Sequence, residues 1–274
     1  MEMAVEKHRG MTFGYYARNG YYSSAKARED VDRMAALNIG WVCVVAIVLQ
    51  DTFASTRQYR DFKMTPADDE LRDIIDYIHK KGMKVQLRPM LECWDGTQRL
   101  AIRFPREETI IPGKPITHWS QWFASMTERT LHYASVASRA GCEAYGLDSE
   151  LDHTVGQNQY WKNVVAAARS VYKGHITSGH TSVVKFPDEL KNKDHWFYDL
   201  DSLGTSFYTG VADKPGATLD EMRAHLKPSL DHFRQVASWY GKPFYFAECG
   251  CCSTAGATMR PAYWKTEGGY DGEE

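Results

Sequence analysis

One pattern constrains this chain more than any other. A short apolar run of strand length is followed by a longer stretch of helical periodicity, again and again along 274 residues. Met11–Tyr16 reads as a strand and Ala25–Leu37 as a helix with Val31, Met34, Ala35 and Leu37 on its apolar stripe. Gly40 breaks the chain before Trp41–Leu49, a continuous apolar run of the kind shown by a parallel strand covered on both faces. Thr65-Pro66 opens the next helix, where Asp68, Asp69 and Glu70 complement the positive end of the dipole and Leu71, Ile74, Ile75 and Ile78 form the buried stripe. Further strands are expected at Lys84–Pro89, Cys142–Leu147, His175–Ser178, Leu203–Tyr208 and Phe244–Ala247, and helices over Trp119–Arg139, Gln159–Tyr172 and Leu219–Tyr240. Trp119, Trp122 and Phe123 sit at helical spacing and read as core.

Right-handed crossovers turn such a string into a TIM-type (β/α)8 barrel or an open doubly wound sheet. The first strand runs into Phe13-Gly14-Tyr15-Tyr16 where a dinucleotide fold would carry a glycine-rich phosphate loop. Polar and aromatic residues gather at several strand ends, where a barrel builds its site. The barrel is therefore expected, as one domain over residues 1–274. The residues after Ala247 contain no clear eighth strand and helix, so the expectation is a barrel lacking a clear eighth β/α unit, truncated at its C-terminal end.

Charge narrows the function classes. Thirty-three basic and 35 acidic residues leave a net charge of −2, which attracts neither nucleic acid nor an anionic membrane. No run approaches the roughly 18 apolar residues of a membrane span. Met1–Gly10 is polar and charged, and with six scattered cysteines this leads to the expectation of a cytoplasmic protein with reduced thiols. Cys249-Gly250-Cys251-Cys252 has no second Cys/His pair at zinc spacing, and no His-x-His pair marks the first strand, so neither a metal nor a cofactor is expected.

The chemistry points to strand ends four and seven, Tyr145-Gly146-Leu147-Asp148-Ser149-Glu150 and Phe244-Tyr245-Phe246-Ala247-Glu248. Two glutamates at opposed strands of one barrel can bracket an anomeric carbon, one donating a proton and the other attacking. Asp148 and Asp152 compete with Glu150 for the acid role, and strand alternation alone would put Asp148 and Glu150 on one side. Trp94, in the long irregular stretch that also holds Asp95, Arg99 and Arg103, is a candidate sugar platform. Of the cluster Tyr15, Tyr16, Tyr21 and Tyr22, one or two are expected to line the cleft, and His180 is expected to be a sugar contact or a simple rim residue.

With these residues in view the chain resembles glycoside hydrolase family 113, the β-mannanase family of the retaining clan A barrels. The resemblance runs through Gly10-Met11-Thr12-Phe13-Gly14, Gln50 with Ser55-Thr56, Gly82–Met90, Asp95-Gly96, Glu150-Leu151, Gly204–Tyr208 and Ala247–Gly250. It implies Glu150 as acid/base, Glu248 as nucleophile, Tyr208 beside the nucleophile, and Arg88, Glu92, Trp94 and Asp95 around the sugar. Arg88 stands where the family frequently has Lys, and Ser149 where many clan members have Asn. The implied activity is hydrolysis of β-linked mannose-type oligo- or polysaccharides by double displacement. The alternatives are a degenerate carbohydrate-binding barrel and a clan A glycosidase for xylan, glucan or galactan.

Overall fold

The computed structural model describes residues 8–104, 112–252 and 256–262. Within them seven parallel strands pair in chain order, β1 (Gly10–Phe13), β2 (Trp41–Gln50), β3 (Lys84–Cys93), β4 (Ala144–Ser149), β5 (His175–His180), β6 (Ser202–Phe207) and β7 (Phe244–Cys249). The helices between them are α1 (Ala25–Ala36), α2 (Asp68–Lys80), α3 (His118–Ala140), α4 (Asn158–Val171), the short α5 (Pro187–Lys191) and α6 (Leu219–Tyr240). The sheet curls into a nearly closed barrel whose edge strands are β1 and β7. None of the described helices is long and apolar enough to cross a membrane.

The apolar run of β2 serves two cores at once, because successive side chains of a strand point to opposite faces. Val42, Val44, Ala46 and Val48 join the main core under the helices, with Val85, Leu87 and Leu91 of β3. Val45, Ile47 and Leu49 form a second, smaller cluster with Met90. Val45 pairs with Arg88, Ile47 with Met90 and Leu49 with Glu92, so the same alternation carries Arg88 and Glu92 onto the face of that inner cluster. Trp119, Trp122 and Phe123 of α3 are buried, and the Trp122 indole donates to Gln50 Oε1 at 3.0 Å, tying the helix to the end of β2.

Strand β1 is shorter than its apolar pattern suggests. Gly14 has φ +73° and turns the chain, and a Cβ there would lie 2.1 Å from the Tyr22 hydroxyl. That hydroxyl donates to Val45 O at 2.6 Å. The turn carrying Tyr15 and Tyr16 is held further by Glu70, whose carboxylate is 3% exposed. It accepts from Gly20 N at 3.0 Å, Tyr22 N at 3.1 Å and Ala67 N at 2.6 Å. Glu70 thus clamps a cleft loop as well as meeting the dipole of α2.

Candidate active site

A cleft of about 2320 Å³ opens at the C-terminal ends of the strands and continues along the gap between β1 and β7. That gap is where an eighth strand stands in a closed barrel. Tyr16, Glu92, Trp94, Glu150, Tyr208 and Glu248 all line the cleft.

Both glutamates owe their positions to irregularities of register. Strand β4 shifts against β5 between Gly146 and Ser149, and β7 has one residue more than β6 between the pairs Thr205↔Phe246 and Ser206↔Glu248. Each is a bulge, which bends a strand and re-aims the side chains beyond it. The shift in β4 sends Asp148 to α3, where it is 1% exposed and pairs with Arg129 at 2.6 Å. Asp148 therefore does not share a side with Glu150 and cannot compete for the acid role. The strand ends at Ser149, and Glu150 follows with φ +63°, left-handed backbone that a non-glycine residue occupies at a cost of about 1–3 kcal/mol. Asp152 is engaged elsewhere, with the hydroxyl of Thr181 and with His180 Nδ1 at 3.4 Å. Burial pushes its carboxyl up, and the bonds from His180 and Thr181 outweigh this and hold it below the usual aspartate range.

Glu248 faces three donors. Arg88 Nη2 lies 3.0 Å from Oε1, the Ser149 hydroxyl donates to Oε1 at 3.2 Å, and the Tyr208 hydroxyl donates to Oε2 at 3.3 Å. Burial, and then the adjacent Glu248 carboxylate, push the Tyr208 phenol well above its usual range, so it stays a donor. Room for Arg88 comes from Gly146, where a Cβ would stand 2.8 Å from Gln86 Nε2 and 3.0 Å from Arg88 Cγ.

Glu150 receives the Ser206 hydroxyl on Oε1 at 2.8 Å and Arg99 Nη2 on Oε2 at 3.1 Å. Ser206 is the register partner of Glu248, while Ser149, the chain neighbour of Glu150, bonds Glu248. Each carboxylate is thus held by a serine that sits beside the other one. Arg99, on a single 3₁₀ turn (Arg99–Ala101), reaches three groups: Glu150, the carboxylate of Glu92, and the Tyr15 hydroxyl at 2.7 Å. Tyr15 in turn donates to Glu92 Oε1 at 3.2 Å. Burial raises the Glu92 carboxyl and Arg99 pulls it back, leaving it above the usual glutamate range.

Three sequence expectations are corrected. His180 is 2% exposed and packs against Phe186, Trp196 and Phe197, so it fixes the backbone after β4 through Asp152 and is closed to a sugar. Asp95 is exposed and caps its own turn by accepting from Thr97 N at 2.9 Å, outside the cleft lining. Arg88 is 2% exposed, so it acts on the cleft through Glu248 and not by touching a ligand. Trp94 and Tyr16, 60% and 75% exposed, offer open aromatic faces to the cleft. Tyr15 and Tyr16 are the members of the tyrosine cluster that line the cleft, while sequence reasoning missed Arg99 and Ser206 as site residues. The one local signal was an arginine seven residues beyond Glu92 in a stretch too long for a connector. Among the described residues no three His, Cys, Asp or Glu side chains converge as a metal site requires.

Comparison with known proteins shows the family and the fold. The family model of Glycoside Hydrolase Family 113 matches residues 11–274. A solved complex of a GH113 β-1,4-mannanase is 30% identical, with 97% of this chain and 79% of that chain covered and a TM-score of 0.82. The GH113 β-mannanase of Alicyclobacillus acidocaldarius in complex with ManMIm is 28% identical, with 94% and 75% covered and a TM-score of 0.78. A family 5 mannosidase from Rhizomucor miehei shares the fold alone, at 13% identity, 89% and 68% coverage and a TM-score of 0.53. No curated protein matches the chain.

Proposed function

Since the chain belongs to glycoside hydrolase family 113, we propose that it cleaves β-1,4-linked mannose chains with retention at the anomeric carbon. Glu248 is the nucleophile and Glu150 the general acid/base. The observation that carries this reading is the pair of glutamates at the ends of β4 and β7, each bonded to the serine beside the other. Mannose as the sugar is supported by the similar solved structures, which are β-1,4-mannanases.

In the first step a carboxylate oxygen of Glu248 attacks the anomeric carbon. The bond to the leaving oxygen breaks as Glu150 gives that oxygen its proton. Arg88, Ser149 and Tyr208 surround Glu248 with donors, the environment of an anion, and fix its direction of attack. In the second step Glu150, now a carboxylate, takes a proton from water, and the resulting hydroxide displaces Glu248 from the sugar. Trp94 and Tyr16 offer exposed aromatic faces on which sugar rings in the cleft can stack.

The test is hydrolysis of aryl β-mannoside and mannooligosaccharides by wild type, Glu150→Gln and Glu248→Gln, with 2-deoxy-2-fluoromannosyl labelling to locate the nucleophile. Loss of turnover in both variants and a label on Glu248 support the proposal. Turnover confined to xylo-, cello- or galacto-oligosaccharides overturns the sugar. A wild type that binds mannooligosaccharides without cleavage or labelling leaves the degenerate barrel.

A further inference from the structure

Arg99 is a single cation placed between two carboxylates, and its placement has a chemical consequence. Arg99 is 6% exposed. Nη1 is on Glu92, and Nη2 is shared between the Tyr15 hydroxyl at 2.7 Å and Glu150 Oε2 at 3.1 Å. Tyr15 adds a second donor to Glu92. Glu92 thus takes one terminal nitrogen of the guanidinium, and Glu150 shares the other with Tyr15. An acid/base must carry a proton when the substrate arrives and lose it one step later. A full, close guanidinium pair would oppose the first state.

Building on the assignment of Glu150 as acid/base, we propose that Arg99 is a shared counter-ion and that Glu92 and Tyr15 are positioning residues. By engaging Arg99 they leave Glu150 free to keep its proton until the leaving oxygen takes it. When the proton moves to that oxygen, Glu150 becomes an anion already within reach of Nη2. When Glu150 recovers a proton from water, Arg99 returns to Glu92. No atom crosses between Glu92 and Glu150; the cation alone is divided between them. The other groups facing Glu150 are Ser206 and Tyr208 at the end of β6, and Glu248 with its partner Arg88 from β7 and β3. The Asp152–His180 pair beside β5 is closed on itself. Tyr208 donates to Glu248 and also faces Glu150; among the described residues Arg99 is the cation paired with both Glu150 and a second carboxylate, so it is where the charge on Glu150 is shared.

The proposal makes opposite predictions for neighbours in one network. In Glu92→Gln the guanidinium's charge falls undivided on Glu150 and favours its ionised form. The alkaline limb of the kcat/KM profile on mannooligosaccharides should move down by about 1 pH unit. Tyr15→Phe should move it the same way by less, and Arg99→Met should move it up. Residues with a merely structural role would lower kcat without these opposed displacements. An alkaline limb that stays put or rises in Glu92→Gln and Tyr15→Phe overturns the proposal. The underlying assignment is read separately, from Glu150→Ala acting on an aryl mannoside with a good leaving group. Rescue by azide supports Glu150 as acid/base. Absence of rescue sinks that assignment whatever the limbs of the other variants do.

Discussion

Removing Arg88 isolates a buried charge, and the cost follows from the surroundings of Glu248. The pair is 3.0 Å apart, with the side chains 2% and 10% exposed. Breaking a buried pair by deleting one partner costs about 3–5 kcal/mol, because the remaining charge is left uncompensated. After Arg88→Met, Glu248 keeps the hydroxyls of Ser149 and Tyr208 and an edge on the cleft, so the lower end applies, about 3 kcal/mol. At about 2–4 °C per kcal/mol for a domain of this size, Tm should fall by roughly 6–12 °C. Glu248→Gln strands the guanidinium instead, deeper in the barrel, and should cost about the same. The double variant holds neither charge, and Met fills the arginine stem. It should lose about 2 kcal/mol less than the sum of the two single losses. The assay is urea unfolding followed by tryptophan fluorescence, the chain having eight tryptophans. Single losses that add to the double within about 0.5 kcal/mol would refute the reasoning, since the two side chains would then not be each other's compensation.

Tyr208→Phe removes one long donor from the Glu248 carboxylate. At about 1.5 kcal/mol for a bond to a charged group, kcat/KM should drop roughly tenfold with Tm nearly unchanged, as steady-state kinetics and a thermal melt will show. Gly146→Ala drives a methyl into Arg88 and Gln86, and should cost about 1–3 kcal/mol in urea unfolding and lower activity as Arg88 is pushed from Glu248. His195 is 4% exposed, and burial lowers it from 6.5 to about 4. The unfolded chain takes its proton first, so stability is lost as pH falls from 6.5 towards 4, by on the order of 3 kcal/mol; urea midpoints across that range should flatten in His195→Gln.

Much of the barrel was written in local pattern. Trp41–Leu49 reads as a strand covered on both faces, and the observed β2 splits its side chains between the two cores as period-two alternation requires. Strand β1 stops before the apolar pattern does, because a Phe-Gly-Tyr-Tyr run does not reveal that Gly14 turns with φ +73° against Tyr22. Glu150 and Glu248 could be found by where apolar strands stop, yet their directions could not. Alternation counted along β7 places Glu248 with Phe244 and Phe246, which pack on Phe233 of α6. The extra residue at Ala247 reverses that parity and brings Glu248 to Arg88 and Ser149. Such a bulge depends on the register of the neighbouring strand, which a linear pattern does not contain.

The same limit explains Arg88, Arg99 and His180. Whether a charged side chain meets a sugar, a carboxylate or a wall of aromatic rings is decided by residues far away in the chain. Glu248 lies 160 positions from Arg88, and Glu150 lies 51 from Arg99. Gly146 shows the link most directly: the glycine on β4 carries no chemistry, but the space it leaves is what lets a buried arginine on β3 reach a carboxylate on β7. The two glutamates are therefore one assembly with their cations. Among the described carboxylates Arg88 pairs with Glu248, whereas Arg99 is divided between Glu150 and Glu92, and this asymmetry is what the proposed roles ask for: a nucleophile that stays charged and an acid that arrives protonated.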